Sequence, residues 1–208
     1  MVYLQVVLEH LLGRSLEELM QEKIFIPLKM NRSSYTWQTR FEDDYCLGHQ
    51  ATGKLYEKDK DNDARSASTL ETTLDDYTLF TEAVLKGTVL NKEMASEMFR
   101  PQIRLRSIQQ FGPLQFRDST GNDAIQLSYG LGWVLLQSPY GTGAFKEGHG
   151  DGFQHYSILF PKTGTGIIIM SNSDNAESIF KELLEITIGD IYTPWYWENY
   201  IPYNQKKN

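Results

Sequence analysis

The segment from Phe145 to Asn175 constrains the fold of this chain more than any other. Gly152 to Phe160 is rich in aromatic and β-branched residues, and Gly166 to Met170 is almost wholly apolar, so both read as strands. Pro161-Lys162-Thr163-Gly164-Thr165 between them has the composition of a turn, which makes the two strands an antiparallel pair. Just ahead of them stands Gly148-His149-Gly150-Asp151-Gly152. Its glycines let the backbone approach a ligand closely, and a histidine can titrate near neutral pH. Any chemical site should include this run.

A helix must cover one face of such a sheet. Asp174-Asn175-Ala176-Glu177 caps one that carries Ile179, Phe180, Leu183, Leu184 and Ile186 and stops at Gly189. The tail beyond it, with Trp195, Tyr196, Trp197, Tyr200 and Tyr203, is dense in aromatics. Docking on the body is the better reading than a sugar or partner platform, because aromatics supply so much burial per residue.

Toward the N-terminus the periodicity is helical. Leu4, Val7, Leu8, Leu11 and Leu12 form one stripe closed by Gly13, and Ser15 and Glu18 form a capping box for a second helix that carries Leu16, Leu19, Met20 and Ile24 up to Pro27. The chain starts abruptly inside helical sequence, which suggests that something precedes it. Thr73 opens another helix with the stripe Tyr77, Phe80 and Val84, ended by Gly87; Asn91 caps a short one before Pro101. Ile103 to Asp123 reads mainly as loop, and Ile125 to Leu136 as a strand with a bend at Gly130 and Gly132. Between Asn31 and Ser68 regular signals fade. Asp59, Asp61 and Asp63 fall in a charge run that reads as a solvated loop, since a calcium loop would need a central Gly and a downstream bidentate Glu in register.

Composition closes off several classes of function. The 208 residues, 40% hydrophobic, suffice to bury the core of one domain. A net charge of −7 argues against a nucleic-acid groove, no apolar run approaches the ~20 residues of a membrane span, and the lone Cys46 excludes an intrachain disulfide or a multi-cysteine metal site. A metal held by His149, Asp151 and His155 is a weaker reading: residues of one parity on a strand share a face, but nothing insists on further ligands. No cofactor is implied.

Several stretches in order carry a family resemblance: Ser68-Thr69-Leu70-Glu71-Thr72-Thr73 leading to Asp76-Tyr77 and Phe80, then Tyr129-Gly130-Leu131-Gly132-Trp133, then Gly148-His149-Gly150 running into Gly152-Phe153, then Phe160-Pro161, then Gly166 to Ser173. Together they resemble the C-terminal portion of the serine β-lactamase-like family, the class C β-lactamases and penicillin-binding-protein-related esterases and peptidases. Tyr3-Leu4-Gln5 through Pro27-Leu28-Lys29-Met30 is similar to the segment that follows the family's tyrosine motif. The resemblance implies an α+β fold, an antiparallel sheet with flanking helices, over about 1–189, with helices to about 100, sheet over about 124–172 and a final helix over about 175–188; 190–208 is the aromatic tail. It also implies hydrolysis of amide or ester bonds through an acyl-enzyme, with a small molecule or peptide as substrate, and a family commonly exported.

Three literal motif matches mislead. Ser178-Ile179-Phe180-Lys181 is an S-x-x-K, Ser173-Asp174-Asn175 an S-D-N and Lys162-Thr163-Gly164 a K-T-G. Their order reverses the family's. The strand from Gly166 to Asn172 also holds Lys162 and Ser173 more than ~20 Å apart, at ~3.3 Å per residue. By position and order the family's H-x-G element falls instead on His149-Gly150-Asp151, with Gly152 N–H as an oxyanion-hole candidate; Asp151 stands where the family has glycine. The nucleophile and tyrosine motifs implied by the resemblance have no counterpart in these 208 residues. The expectation is a truncated relative with an exposed sheet edge and a tendency to self-associate. A non-catalytic interaction domain of the same fold is the alternative.

Overall fold

In a computed structural model, which describes residues 2–60 and 62–205, the sheet strands follow one another in space as they do in sequence. They are β1 (Ile103–Arg104), β2 (Ser128–Tyr129), β3 (Val134–Ser138), β4 (Gly141–Gly150), β5 (Phe153–Phe160) and β6 (Thr165–Ser171), all antiparallel to their neighbours. The long β4–β5–β6 meander is the hairpin region anticipated from Phe145 to Asn175, extended by a strand on its N-terminal side. The expected single strand over Ile125 to Leu136 is instead two short strands. Gly130 N–H bonds back to Trp133 C=O at 2.9 Å, and Gly132 adopts φ +85°, so the glycines make a reversal rather than a bend. Ile103 to Asp123 is mostly loop, as read, apart from β1 and a 3₁₀ turn at Pro113–Phe116.

Two layers cover the sheet. Helix α1 is Val2–Leu12, α2 is Leu16–Met20, α3 is Ile26–Leu28, α4 is Leu74–Leu85, α5 is Lys92–Met98 and α6 is Glu177–Ile188. On one face Phe145, Tyr156, Ile158 and Phe160 pack with Phe180 and Leu184 of α6 and with Trp195, Trp197 and Tyr200 of the tail. The tail therefore docks, and on the face α6 also covers. On the other face Trp133, Leu135, Ala144 and Leu159 pack with Val84 of α4 and with Met98 and Phe99 beside it.

The caps read from sequence hold where side chains decide them. Ser15 and Glu18 form the reciprocal capping box, Thr73 accepts from Asp76 N–H, and Asn91 accepts from Met94 N–H. At α6 the cap differs. Its N-cap is Ala176, with no side-chain bond, and Glu177 N–H donates across to Gln154 Oε1 of β5 at 2.8 Å. Nor does Pro27 end the second helix. A π turn over Gln21–Phe25 links α2 to α3, and its i→i+5 bonding, seen in Ile26 N–H to Gln21 C=O, passes over the missing proline donor until Lys29 stops the helix at φ +60°.

The apolar stripe expected on α1 lies outward. Leu4, Leu8, Leu11 and Leu12 are exposed, Tyr3 is 83% exposed, and no residue of the helix is buried. Polar side chains fix it instead: Gln5 donates to Ala64 C=O at 2.7 Å and accepts from Ser66 N–H, and Glu9 accepts from Leu16 N–H. In α6 the inward face is Phe180 and Leu184, while Ile179 and Ile186 are exposed. In the acidic loop Asp59 lies 3.8 Å from Arg65, and Asp61 lies outside the described residues.

Candidate active site

His149 stands near the end of β4, not at the start of β5 as its neighbours in sequence suggested. The Asp151-Gly152 tip joins the two strands, with Gly150 paired to Phe153 and Gly152 at φ +76°. His149 pairs with Gln154, and His155 with Gly148. Paired residues in an antiparallel ladder share a face, so the two histidines emerge from opposite faces. A metal bridging His149, Asp151 and His155 is therefore excluded by register: the hairpin tip reverses the chain between the histidines, and the single-strand parity rule does not apply. Among the described residues no group of three His, Cys, Asp or Glu side chains is arranged to hold a metal ion.

The His149 ring turns toward α6 and the tail, into a cluster of acids. Its Nε2 lies 3.0 Å from Glu147 Oε2, 2.9 Å from Glu177 Oε1 and 3.2 Å from Tyr200 Oη. Tyr200 donates to the same Glu147 oxygen at 2.7 Å. Bonding to Glu147 and then to Glu177 raises the His149 pKa to about 10, so the imidazolium is the resting form at neutral pH. Burial would push Glu147 upward, but its bonds to His149 and Tyr200 hold it below the usual carboxylate range. Glu198, 2% exposed, lies against Glu147, and burial followed by the Glu147 charge pushes its carboxyl far up. Among the described residues no N–H or hydroxyl outside the acid pair reaches either Glu198 oxygen. A hydrogen bond between the two acids thus requires a proton on Glu198, donated to Glu147.

The other face of the same strand end is open. Side chains added at Gly148 and Gly150 would meet nothing within 4 Å. His155 lines this face, its Nδ1 accepting from Ser171 N–H at 3.3 Å, and burial lowers its pKa, which leaves a neutral ring. Asp151 is exposed, whereas Gly152 is buried under the Gly48–His49 segment. A Cβ at Gly152 would stand 2.3 Å from His49 N, and one at Gly48 only 1.9 Å from Asp151 O, so two glycines press backbone against backbone. His49 also fastens this segment to the chain after β6, donating from its N–H to Asn172 C=O at 2.8 Å.

The three misleading motifs are scattered. Lys162 and Ser173 lie beyond opposite ends of β6; Asp174 accepts from Tyr56 Oη; Ser178 donates to Asn175 C=O; and Lys181 pairs with Glu185 along α6. Glu147 escaped the sequence reading although its parity with His149 on one strand could have flagged it. Nothing local could have flagged Glu198 or Tyr200, which arrive through the tail.

A six-stranded antiparallel sheet with helices on both faces matches a β-lactamase/transpeptidase-like fold. The Beta-lactamase family signature matches residues 1–186, and the chain belongs to that family. Two solved structures share the fold. One is the octameric penicillin-binding protein homologue from Pyrococcus abyssi, 21% identical, with a TM-score of 0.66 over 90% of this chain and 41% of that one. The other is the β-lactamase/D-alanine carboxypeptidase from Pseudomonas syringae, 15% identical, with a TM-score of 0.61 over 83% of this chain and 52% of that one. The chain spans about half the length of these structures. Comparison with curated proteins gives no match.

Proposed function

We propose that this chain supplies one wall of a serine-hydrolase site for amide or ester bonds, with the nucleophile on residues outside these 208. The observation that carries this reading is the open face at Gly148 and Gly150, at the strand end where the order of motifs puts the family's H-x-G element. In such a site the backbone of His149, Gly150 and Asp151 forms the wall, the His149 ring turning to the opposite face, and Gly152 fixes the turn because it is buried and gripped by Gly48 and His49. The acyl-enzyme step follows from a serine nucleophile held at an oxyanion hole of backbone amides. Substrate is a small molecule or peptide, and its identity belongs to loops that vary within one fold.

A chromogenic β-lactam, a short-chain ester and a fluorophosphonate probe test the assignment. The 208-residue protein should turn over neither substrate and take up no probe. Stoichiometric labelling of a serine within the chain would overturn the placement of the nucleophile. An in-frame coding sequence upstream of Met1 with a tyrosine motif, preceded by an S-x-x-K helix start, would support the hydrolase; its absence would favour the second reading.

That second reading is an interaction domain of the same fold without catalysis. Support comes from α1, where Val2, Leu4, Val6, Leu8, Leu11 and Leu12 are exposed, as in a helix that packs against a partner. Self-association fits the same surface and the outer edge of β6, beside which no further sheet strand lies among the described residues. The octameric relative makes assembly of this chain with its own copies a direct extension.

A further inference from the structure

We propose that the segment from Asp190 to Tyr203 is a pH-gated latch, closed over the site end of β4 by the Glu147–His149 pair and released as the solution becomes alkaline. It is independent of which reaction the wall serves.

The segment is held in two unlike ways. Its first part is packed and internally bonded. Asp190 accepts from Tyr192 N–H and from the Thr193 amide and hydroxyl, Thr193 Oγ1 lies 3.0 Å from Tyr156 Oη, and the Trp195 ring packs at a tilt against Tyr156. Its second part is packed too, with Trp197 and Tyr200 in the core and Trp197 Nε1 donating to Ser107 Oγ, but it also carries the Glu198 carboxyl into the acid cluster, where packing alone would not place it. A buried carboxylate beside another carboxylate is costly unless one of them holds a proton. Docking of this part is therefore strengthened by two protons, one on Glu198 and one on His149, and weakened when either is lost.

All the charges that face the cluster act in the same scheme. Strand β4 contributes Lys146 and Glu147, α6 contributes Glu177, the tail contributes Glu198 and Tyr200, and His155 acts weakly on His149 from the far face. His149 has a raised pKa when folded, so its contribution is complete below its ordinary value of 6.5 and is lost as pH climbs toward about 10. Glu198 is raised as well, so its contribution too is lost as pH rises through its folded value. Glu147 is depressed and weakens the contact only at the acid end, below the ordinary carboxyl range. Between mildly acid and alkaline solution both protons therefore act in one direction. Release leaves Glu147 and Glu198 both ionised, frees the His149 ring, and uncovers Phe180, against which Tyr200 stacks edge-on.

Hydrogen–deuterium exchange on the whole chain between pH 6 and 9.5, corrected for intrinsic rates, tests the latch through peptides from the tail and from β5. Protection of the tail relative to β5 should fall by about tenfold or more, the change that one unit of pKa shift carries. Glu198→Gln keeps a neutral donor at that position and should flatten the fall. His149→Gln should show weak tail protection already at pH 6. Tyr200→Phe, which removes a hydroxyl but no titration in this window, should lower protection evenly and keep the slope. Tail protection independent of pH in the unaltered protein would overturn the proposal. So would a fall shared equally by β5, or a slope unchanged in both Glu198→Gln and His149→Gln.

Discussion

His149 and His155 lie on paired neighbouring strands with their rings on opposite faces, because His149 is opposite Gln154 while His155 is opposite Gly148. One is tied to two acids and the other is enclosed by the sheet and bonded to a backbone amide. The same hairpin thus holds a charged imidazole and a neutral one.

The two rings should therefore titrate on opposite sides of the ordinary histidine value. Imidazole NMR signals followed across pH should show His149 losing its proton well above 6.5, toward about 10, and His155 below 6.5. Glu147→Gln removes the main partner and should bring His149 down while leaving His155 in place. Coincident titration of both rings would contradict the face assignment.

Divalent metal should not bridge this hairpin. Calorimetric titration with zinc should give no stoichiometric site that His149→Ala and His155→Ala both abolish. A site lost in both variants would require the two faces to communicate through a different register.

The contact between Gly48 and the hairpin tip should tolerate no side chain. Gly48→Ala would place its Cβ 1.9 Å from Asp151 O, and backbone cannot move aside as a side-chain end does. Forced overpacking of this kind typically costs ~1–3 kcal/mol. Urea denaturation should show that loss, whereas Gly148→Ala, with open space around it, should lose far less.

Asp76 should matter beyond its place at N3 of α4. Its Oδ2 accepts from Arg32 N–H at 2.7 Å and from the Ser33 hydroxyl at 2.8 Å, both far away in sequence. Asp76→Ala leaves the Arg32 N–H without its acceptor and the Ser33 hydroxyl with Thr72 Oγ1 alone, at about 1–3 kcal/mol for a buried unsatisfied group. Thr73→Ala removes only the cap, about 1 kcal/mol. The denaturation midpoint should fall more for the first change than for the second.

Charging α1 should reduce self-association without unfolding the protein. Leu8 and Leu11 are 40% and 72% exposed, so Leu8→Glu with Leu11→Glu gives up little burial. Light scattering after gel filtration should show a smaller species, at an unchanged melting temperature. A melting temperature that drops with the mass would mean that α1 holds the fold rather than a partner.

The sequence by itself determined the elements whose causes are local. Ser15 with Glu18, Thr73 and Asn91 each place a side-chain acceptor where a helix's first amides need one, and the apolar run after Thr165 can form little but a strand. Order and spacing of short motifs pointed to the β-lactamase family, and reversed order together with strand length discarded the false K-T-G and S-D-N. Tertiary structure decided what depends on partners far along the chain. Gly152 is buried because Gly48 and His49 come to it, and α1 turns its leucines outward because Gln5 and Glu9 bond to the body first. The charge on His149 was settled in the same way. A histidine among glycines reads as exposed and ordinary, but α6 brings Glu177 and the tail brings Tyr200 and Glu198 to it. Electrostatic energy depends on distance in space, and a strand's alternation gives only which face its own residues share, not what another element brings to that face.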